Sequence, residues 1–225
     1  MSFGGRLSVV LGLFVVAVGL VVFTAASLLG AQPATVDFTA GHSAGSPVDI
    51  TVQTFGAIGS GPHPTWVSYE VKDQSGKWVH STSWQVPANT RINMTVEQFD
   101  SGSPLRNQQW GLVQGVIGHT ATLNGSTFSA YDSNSGNGVG HTFAIPTLDL
   151  NVPLVGVDSN AKNICSQAPC DSSSVSNTIT FSFMSPSPGQ YPWQCYVPCG
   201  LGYLFGNGGP MSTQNYMGGF LKVVA

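Results

Sequence analysis

The sequence predicts an all-β sandwich or barrel that follows a single membrane-spanning helix, and three observations carry this prediction. Residues 7–31 form one run without a charged residue. After it come about eight short segments rich in β-branched and aromatic residues, bounded by Gly, Pro, Asn, Asp and Ser. The chain also contains 28 Gly, 14 Pro and only 8% charged residues, which favours strands joined by turns over a helical bundle.

The low charge excludes several functional classes. The 225 residues include 7 Lys and Arg, thinly spread, and the net charge is −3, so no clustered basic face for nucleic acid is predicted. At 42% hydrophobic residues the chain is apolar enough to collapse, which excludes charge-driven disorder. The sequence contains no Ser-His-Asp, paired-carboxylate or phosphate-loop pattern, so no catalytic residue is predicted.

The run at 7–31 is long enough to cross a bilayer, since roughly 20 apolar residues span its core of about 30 Å. Arg6 precedes the run, and the next Lys or Arg is Lys72. The positive-inside rule therefore predicts a single-pass plasma-membrane protein with a cytoplasmic N-terminus and an extracytoplasmic domain. The alternatives are a buried core helix and a secretory signal peptide, although Leu29 makes the site ending at Ala31 a poor one for cleavage.

The predicted organisation is an N-terminal anchor over 1–31, a linker over 32–40 and one β domain over 41–225. Two polar stretches, Ser101–Gly140 and Val157–Asn177, interrupt the β-type sequence. The segments predicted as strands are Val48–Thr54, Trp66–Val71, Trp78–Trp84, Ile92–Phe99, His141–Leu148, Thr178–Phe183, Tyr191–Cys195 and Phe220–Val224.

A candidate metal site lies in the segment SPSPGQYPWQCYVPCGLG, where Cys195 and Cys199 share one tight loop. Two thiols four residues apart can point at a common centre, and soft thiolates select copper, zinc or iron–sulfur. His141 begins the apolar segment HTFAIPTL, and Met211 and Met217 follow the cysteines. An imidazole, a thiolate and a weakly bound thioether form a donor set typical of copper electron transfer.

These segments resemble a known family. HTFAIPTLDLNVP is similar to the HSFxxPxLxxxxDxxPG stretch of cytochrome c oxidase subunit II, and SPGQYPWQCYVPCGLG resembles the GxYxxxCxxxCGxxH loop of that family. The single N-terminal anchor resembles the short subunit II of some prokaryotic haem-copper oxidases. The resemblance covers roughly residues 85–225 and the anchor.

The resemblance implies a cupredoxin-like Greek-key β-sandwich that binds copper, as either a mononuclear or an altered CuA-type site. The residues that match the ligands of the family are His141, Cys195, Cys199, Val197 through its carbonyl, and Met217. The implied function is electron transfer from an external donor towards haem in a separate oxidase subunit I, so the chain itself would be a non-catalytic subunit of an oxidoreductase complex.

One position departs from the pattern of the family. Tyr203 stands where the second His is expected, and no His follows His141. Three states remain open: an altered copper site of His141, Cys195, Cys199 and Met217, with Met211 as a substitute; a Cys195–Cys199 disulfide without metal; or a copper-free loop like that of the quinol oxidases. A copper-free structural subunit and a stand-alone copper carrier are therefore the alternative functions.

The two remaining cysteines and the other histidines are expected to lie outside the metal site. Cys165 and Cys170 lie in a polar insertion that the family lacks, and outside the cytoplasm a short-loop disulfide is expected. Four histidines are expected to be solvated or hydrogen-bonded rather than ligands. They are His42, His63, His80 and His119.

Overall fold

The computed structural model describes residues 3–30, 34–200 and 209–225, with helix side chains described over 8–27. The chain divides into two compact units, residues 1–33 and 34–225. The first unit is the helix α1, Phe3–Gly30. Its stretch Ser8–Ser27 is long and apolar enough to cross a bilayer, a property that a membrane anchor and a signal sequence share.

The second unit is a sandwich of two β-sheets. Its strands are β1 Thr35–Asp37, β2 Val48–Phe55, β3 Ser68–Lys72, β4 Trp78–Val79, β5 Ser83–Pro87, β6 Arg91–Gln98, β7 Ala121–Leu123, β8 Ser126–Phe128, β9 Val139–Ile145, β10 Leu150–Val155, β11 Asn177–Met184, β12 Gly189–Gln194 and β13 Gly218–Val224. The first sheet has the order β1-β5-β13-β12-β9-β10, and the second has the order β4-β3-β2-β6-β11-β7-β8. Short 3-10 helices lie at Gln108–Gly111, Ile117–His119 and Pro146–Leu148.

The alternation of apolar and polar residues decides which face of each strand is buried. In β6 the buried apolar residues are Ile92, Met94 and Val96, and a partly exposed residue separates each from the next. Strand β11 follows the same rule over Ile179–Phe183, and the two strands pair antiparallel in the middle of the second sheet. Strand β9 is different because it is buried along its whole length.

Aromatic rings from both sheets meet in the core. Tyr69 on β3 contacts Trp193 on β12 edge to face, with ring centroids 5.1 Å apart. Phe143 on β9 lies 5.8 Å from Phe181 on β11, and Trp84 stacks on Trp193 at 5.0 Å. Large buried rings contribute most of the apolar area of such a core, so this layer holds the two sheets together.

The mostly β architecture with one N-terminal apolar helix confirms the predicted fold class. Each segment predicted as a strand contains a strand, but the run Trp78–Trp84 is split between β4 and β5, and the run from His141 ends in a 3-10 helix. Strand β1 lies within the predicted linker 32–40 and pairs with β5. The β domain therefore extends to Thr35, ahead of the predicted boundary at 41.

Three further strands lie outside the segments that were predicted. Strand β10 contains Pro153, which is tolerated because β10 is at the edge of its sheet. Strands β7 and β8 lie within the polar stretch Ser101–Gly140 and form a hairpin across Asn124 and Gly125, both with positive φ, as a tight hairpin turn requires.

Removal of the Phe143 ring is expected to lower the free energy of unfolding by about 3–5 kcal/mol, because a fully buried ring leaves a cavity. Chemical denaturation of the full chain in detergent micelles measures the effect of Phe143→Ala. Met184, which is 51% exposed, supplies the matched control, and Met184→Ala is expected to change stability by less than about 0.5 kcal/mol. Equal stability of the two variants would contradict the assignment of Phe143 to the core.

Candidate metal centre

One imidazole and two thiol side chains converge at one end of the sandwich. His141 is on β9, Cys195 directly follows β12, and Cys199 lies four residues further along the same loop. Strands β9 and β12 are neighbours and pair at Ala144 and Gln194. This pairing brings the imidazole to the loop that carries both sulfurs.

The three side chains are close enough to share one ion. His141 Nδ1 is 3.1 Å from Cys199 Sγ and 3.9 Å from Cys195 Sγ. The two Sγ atoms are 3.5 Å apart and are not joined by a bond. Within the described residues, this is the group of His, Cys and acidic side chains whose ligand atoms all lie within 4.8 Å of one another. All three residues are buried.

The carbonyl of Val197 points into the same volume. Its oxygen accepts hydrogen bonds from Cys199 Sγ at 3.0 Å and from Cys195 Sγ at 3.5 Å. The loop therefore presents a main-chain oxygen beside both sulfurs, at the residue that the family resemblance implies.

The main chain places Met217 next to Cys195. The Cys195 N–H donates to the Met217 carbonyl at 2.9 Å, and the Met217 N–H donates to the Pro210 carbonyl at 3.1 Å. Met217 is fully buried in the same core cluster as the two cysteines. Met211 is half-buried against that cluster, and its carbonyl accepts a hydrogen bond from the Gln194 side chain.

Asp100 orients the imidazole from its other side. His141 Nε2 is 3.2 Å from Asp100 Oδ2, within ion-pair distance but without the alignment of a hydrogen bond. The other carboxylate oxygen accepts the Ser101 N–H at 2.8 Å, which holds the carboxylate in place. A carboxylate behind a metal-binding imidazole fixes the orientation of the ring and raises its basicity. The sequence did not reveal Asp100, because its position two residues after β6 carries no motif.

Thr142 connects the strand of the imidazole to the loop of the sulfurs. Its N–H points to Cys195 Sγ at 3.4 Å, and its Oγ1 accepts the Tyr196 N–H at 2.8 Å. Its carbonyl accepts the buried Tyr69 hydroxyl at 3.3 Å. Thr142 was also missed from the sequence, since its role depends largely on main-chain atoms that any residue carries.

Mutual contacts set the ionisation of the cluster. Burial lowers the pKa of His141, but the Asp100 carboxylate and the Cys195 sulfur outweigh burial and raise that pKa to about 9. Burial opposes ionisation of Cys195, yet its contacts with Cys199 and His141 hold its pKa well below the usual value. The hydrogen bond to Cys195, followed by burial, raises the pKa of Cys199. The thiols of Cys195 and Cys199 therefore titrate as a coupled pair, and Cys195 ionises first.

Histidines that were expected not to be ligands lie outside the cluster. His119 is exposed in a 3-10 helix and does not belong to the cluster. His63 stacks on Trp66 at 3.7 Å, and His80 Nε2 is hydrogen-bonded to Ser68 Oγ at 2.9 Å. Tyr203 lies outside the described residues.

The remaining cysteines are paired away from the cluster. Cys165 and Cys170 are joined by a disulfide within the polar insertion at 157–177. Both pack in a second, smaller apolar cluster that contains Phe55 and Phe99. The bond thus closes a surface loop and leaves Cys195 and Cys199 as free thiols.

Comparison with known proteins gives structural similarity alone. No protein-family profile matches the chain, and no curated protein sequence matches it. A solved structure of the copper protein rusticyanin is 15% identical, with 84% of this chain and 82% of that chain covered and a TM-score of 0.34. Rusticyanin from Thiobacillus ferrooxidans gives 16% identity, the same coverages and a TM-score of 0.33. Since these TM-scores are below 0.5, the fold class rests on the strands and the aromatic core of the β unit.

Copper binding by this cluster is expected to strengthen as pH rises towards about 9. A proton on His141 competes with the metal, and because the pKa of His141 is raised to about 9, that competition is present below this pH and is lost above it. Asp100→Asn removes the carboxylate that raises the pKa, so the increase in affinity should occur at lower pH in this variant.

Copper(I) titration of the full chain against a competing chelator, between about pH 6 and about 10, measures this profile. Asp49, an exposed aspartate hydrogen-bonded to Asn93, provides the control variant Asp49→Asn, which should keep the wild-type profile. An unchanged profile in Asp100→Asn would show that the carboxylate does not govern the imidazole.

Proposed function

We propose that this chain is a membrane-anchored, extracytoplasmic copper protein that transfers single electrons, in the manner of the cupredoxin domain of cytochrome c oxidase subunit II. The observation that carries the proposal is the convergence of His141, Cys195 and Cys199, from distant parts of the chain, on one buried volume.

The residues present fit copper by the chemistry of their donors. Thiolates and imidazole are the ligands that copper prefers among protein side chains, and the Val197 carbonyl lies beside both sulfurs. Met217 is buried, its carbonyl accepts the Cys195 N–H, and its thioether is the further ligand that the family resemblance implies. Bound copper supplies a one-electron redox couple.

The chain holds these donors in place without help from the metal. His141 is fixed by Asp100, Cys195 by the Thr142 N–H, and the loop by the Val197 carbonyl. Such a preformed site changes little when its charge changes, which keeps the reorganisation on electron transfer small. The burial of all three donor residues limits their contact with bulk water.

The proposed partner is a separate oxidase subunit that contains haem. The helix with the apolar stretch Ser8–Ser27 supports membrane anchoring, and the two sequence motifs support the oxidase subunit II relationship. An external carrier would then reduce the domain, which would pass the electron to subunit I. Co-purification of the full chain with a haem-containing subunit tests this part of the proposal.

His141→Ala is expected to abolish stoichiometric copper binding, because it removes the imidazole around which the site is built. Copper analysis on protein purified under reducing conditions with copper supplied measures the loss, and the stoichiometry distinguishes one ion from two. His119→Ala removes an exposed imidazole and should bind as much copper as the wild type. Cys195→Ser should lose the thiolate-to-copper visible absorption, and copper binding unchanged in that variant would refute the ligand assignment.

Counting of free thiols in the unreduced, metal-free chain separates copper binding from the disulfide alternative. The structure has two free cysteines and one disulfide, so two reactive thiols are expected after denaturation. A count of zero would show a second disulfide, Cys195–Cys199, and would favour a copper-free structural subunit.

A further inference from the structure

Two stacked aromatic rings lie at the surface beside one of the sulfur-bearing residues. Tyr196 directly follows Cys195, and its ring stacks on Trp110 with centroids 4.2 Å apart and 2° between the planes. Both rings are half-buried, so the pair is in contact with solvent on one side and with the domain on the other. We refer to Trp110 and Tyr196 as the aromatic pair.

The aromatic pair is held rigidly on the domain. The Tyr196 N–H donates to Thr142 Oγ1 at 2.8 Å, next to the metal-site residue His141. On the other side, the Asn151 side-chain amide donates to the carbonyls of Trp110 and Leu112, at 3.3 and 2.7 Å. Asn151 is itself buried on β10. The neighbouring strands β9 and β10 therefore hold the main chains of the two aromatic residues beside each other.

The donor residues expose little surface to a redox partner. Cys195 is fully buried, and His141 and Cys199 are 1% and 6% exposed. An electron must therefore cross protein to reach them, and electron transfer is faster along covalent bonds than across gaps of the same length. A single peptide unit separates Cys195 from Tyr196, which makes this residue the nearest bonded route from a thiolate to a surface ring.

The space in front of the aromatic pair allows a partner to approach. Both rings line a groove of about 460 Å³, together with polar and small residues such as Gln114, His119 and Pro146. Trp110 belongs to the polar stretch Ser101–Gly140, so part of this surface comes from outside the strands of the metal site.

We propose that Trp110 and Tyr196 form the relay through which the metal centre exchanges electrons with its external redox partner. This inference rests on the proposed copper function. One electron passes from a one-electron outer-sphere reductant to the oxidised centre, so the reductant loses one electron and the centre gains one. No bond forms or breaks, and no proton moves.

The structure offers a second aromatic surface as a direct comparison. Trp66 stacks on His63 and lines a cavity of about 560 Å³ together with Asp100, His141 and Cys199. Trp66 has no short covalent route to a donor residue, since it is distant in sequence from all three. It therefore provides a matched control for an aromatic ring that is near the site but outside the bonded route.

The test measures reduction of the copper-loaded full chain in detergent micelles by hexaammineruthenium(II), using stopped-flow absorbance. Trp110→Leu and Tyr196→Leu are expected to slow reduction roughly tenfold, whereas Trp66→Leu should change it by less than about twofold. The visible spectrum and reduction potential should stay as in the wild type in all three variants, which separates loss of the relay from damage to the site. Because Tyr196 adjoins a donor residue, Trp110→Leu serves as an independent second variant.

NMR provides a second test of the relay that does not depend on an electron-transfer rate. In NMR spectra of the oxidised, copper-loaded chain, unpaired spin that spreads through Cys195 should produce contact shifts on the Tyr196 ring and none on the Trp66 ring. Wild-type rates in Trp110→Leu, slower reduction in Trp66→Leu alone, or absence of contact shifts on Tyr196 would overturn the inference. A chain that binds no copper would fail in the metal analysis first, and it would overturn the proposed function together with the relay.

Discussion

The pairing of β9 with the end of β12 is the constraint on which the site depends. It positions His141 opposite a loop whose sulfurs are more than fifty residues away in sequence, with Cys195 and Cys199 separated from His141 by 54 and 58 residues. The main-chain hydrogen bond from Cys195 to Met217 then attaches the same loop to the start of β13. Three segments of the chain are thus held together by main-chain hydrogen bonds, and the donor side chains meet because their main chains do.

The aromatic core below the site makes this arrangement stiff. Phe143 is two residues after His141, so period-two alternation places it on the same face of β9, where it contacts Trp84 and Trp193. The Tyr69 hydroxyl reaches the Thr142 carbonyl from the opposite sheet, and burial together with the nearby sulfurs raises the pKa of Tyr69 and keeps it a neutral donor. A close-packed interior resists small displacements, so the positions of the donors are set by the core and not by the loop alone.

Local pattern was sufficient for most of the strands, and it singled out His141, Cys195 and Cys199, which the structure brings together. Alternation in β6 and β11 is visible in the sequence because one face of each is buried, and the Cys-x3-Cys spacing identifies the loop directly. Strand β10 was not predicted, because it contains Pro153 and directly follows a turn at Asp149. An edge strand tolerates a proline, and β10 is at the edge of its sheet. Asp100 could not be predicted, since its contact with His141 depends on the register of two different sheets.

The absence of a second imidazole from the described part of the sulfur loop has an electrostatic consequence for the proposed copper site. Two thiolates and one neutral imidazole carry two negative charges, so bound copper(II) would be neutralised, whereas copper(I) would leave a net negative charge. Burial disfavours net charge, and the Asp100 carboxylate adds a further negative charge behind the imidazole. Both effects would stabilise the oxidised form of the proposed copper site and lower its reduction potential. The Thr142 N–H, which points at Cys195 Sγ, would oppose them by withdrawing charge from the sulfur, so this main-chain contact would raise the potential of the proposed copper site.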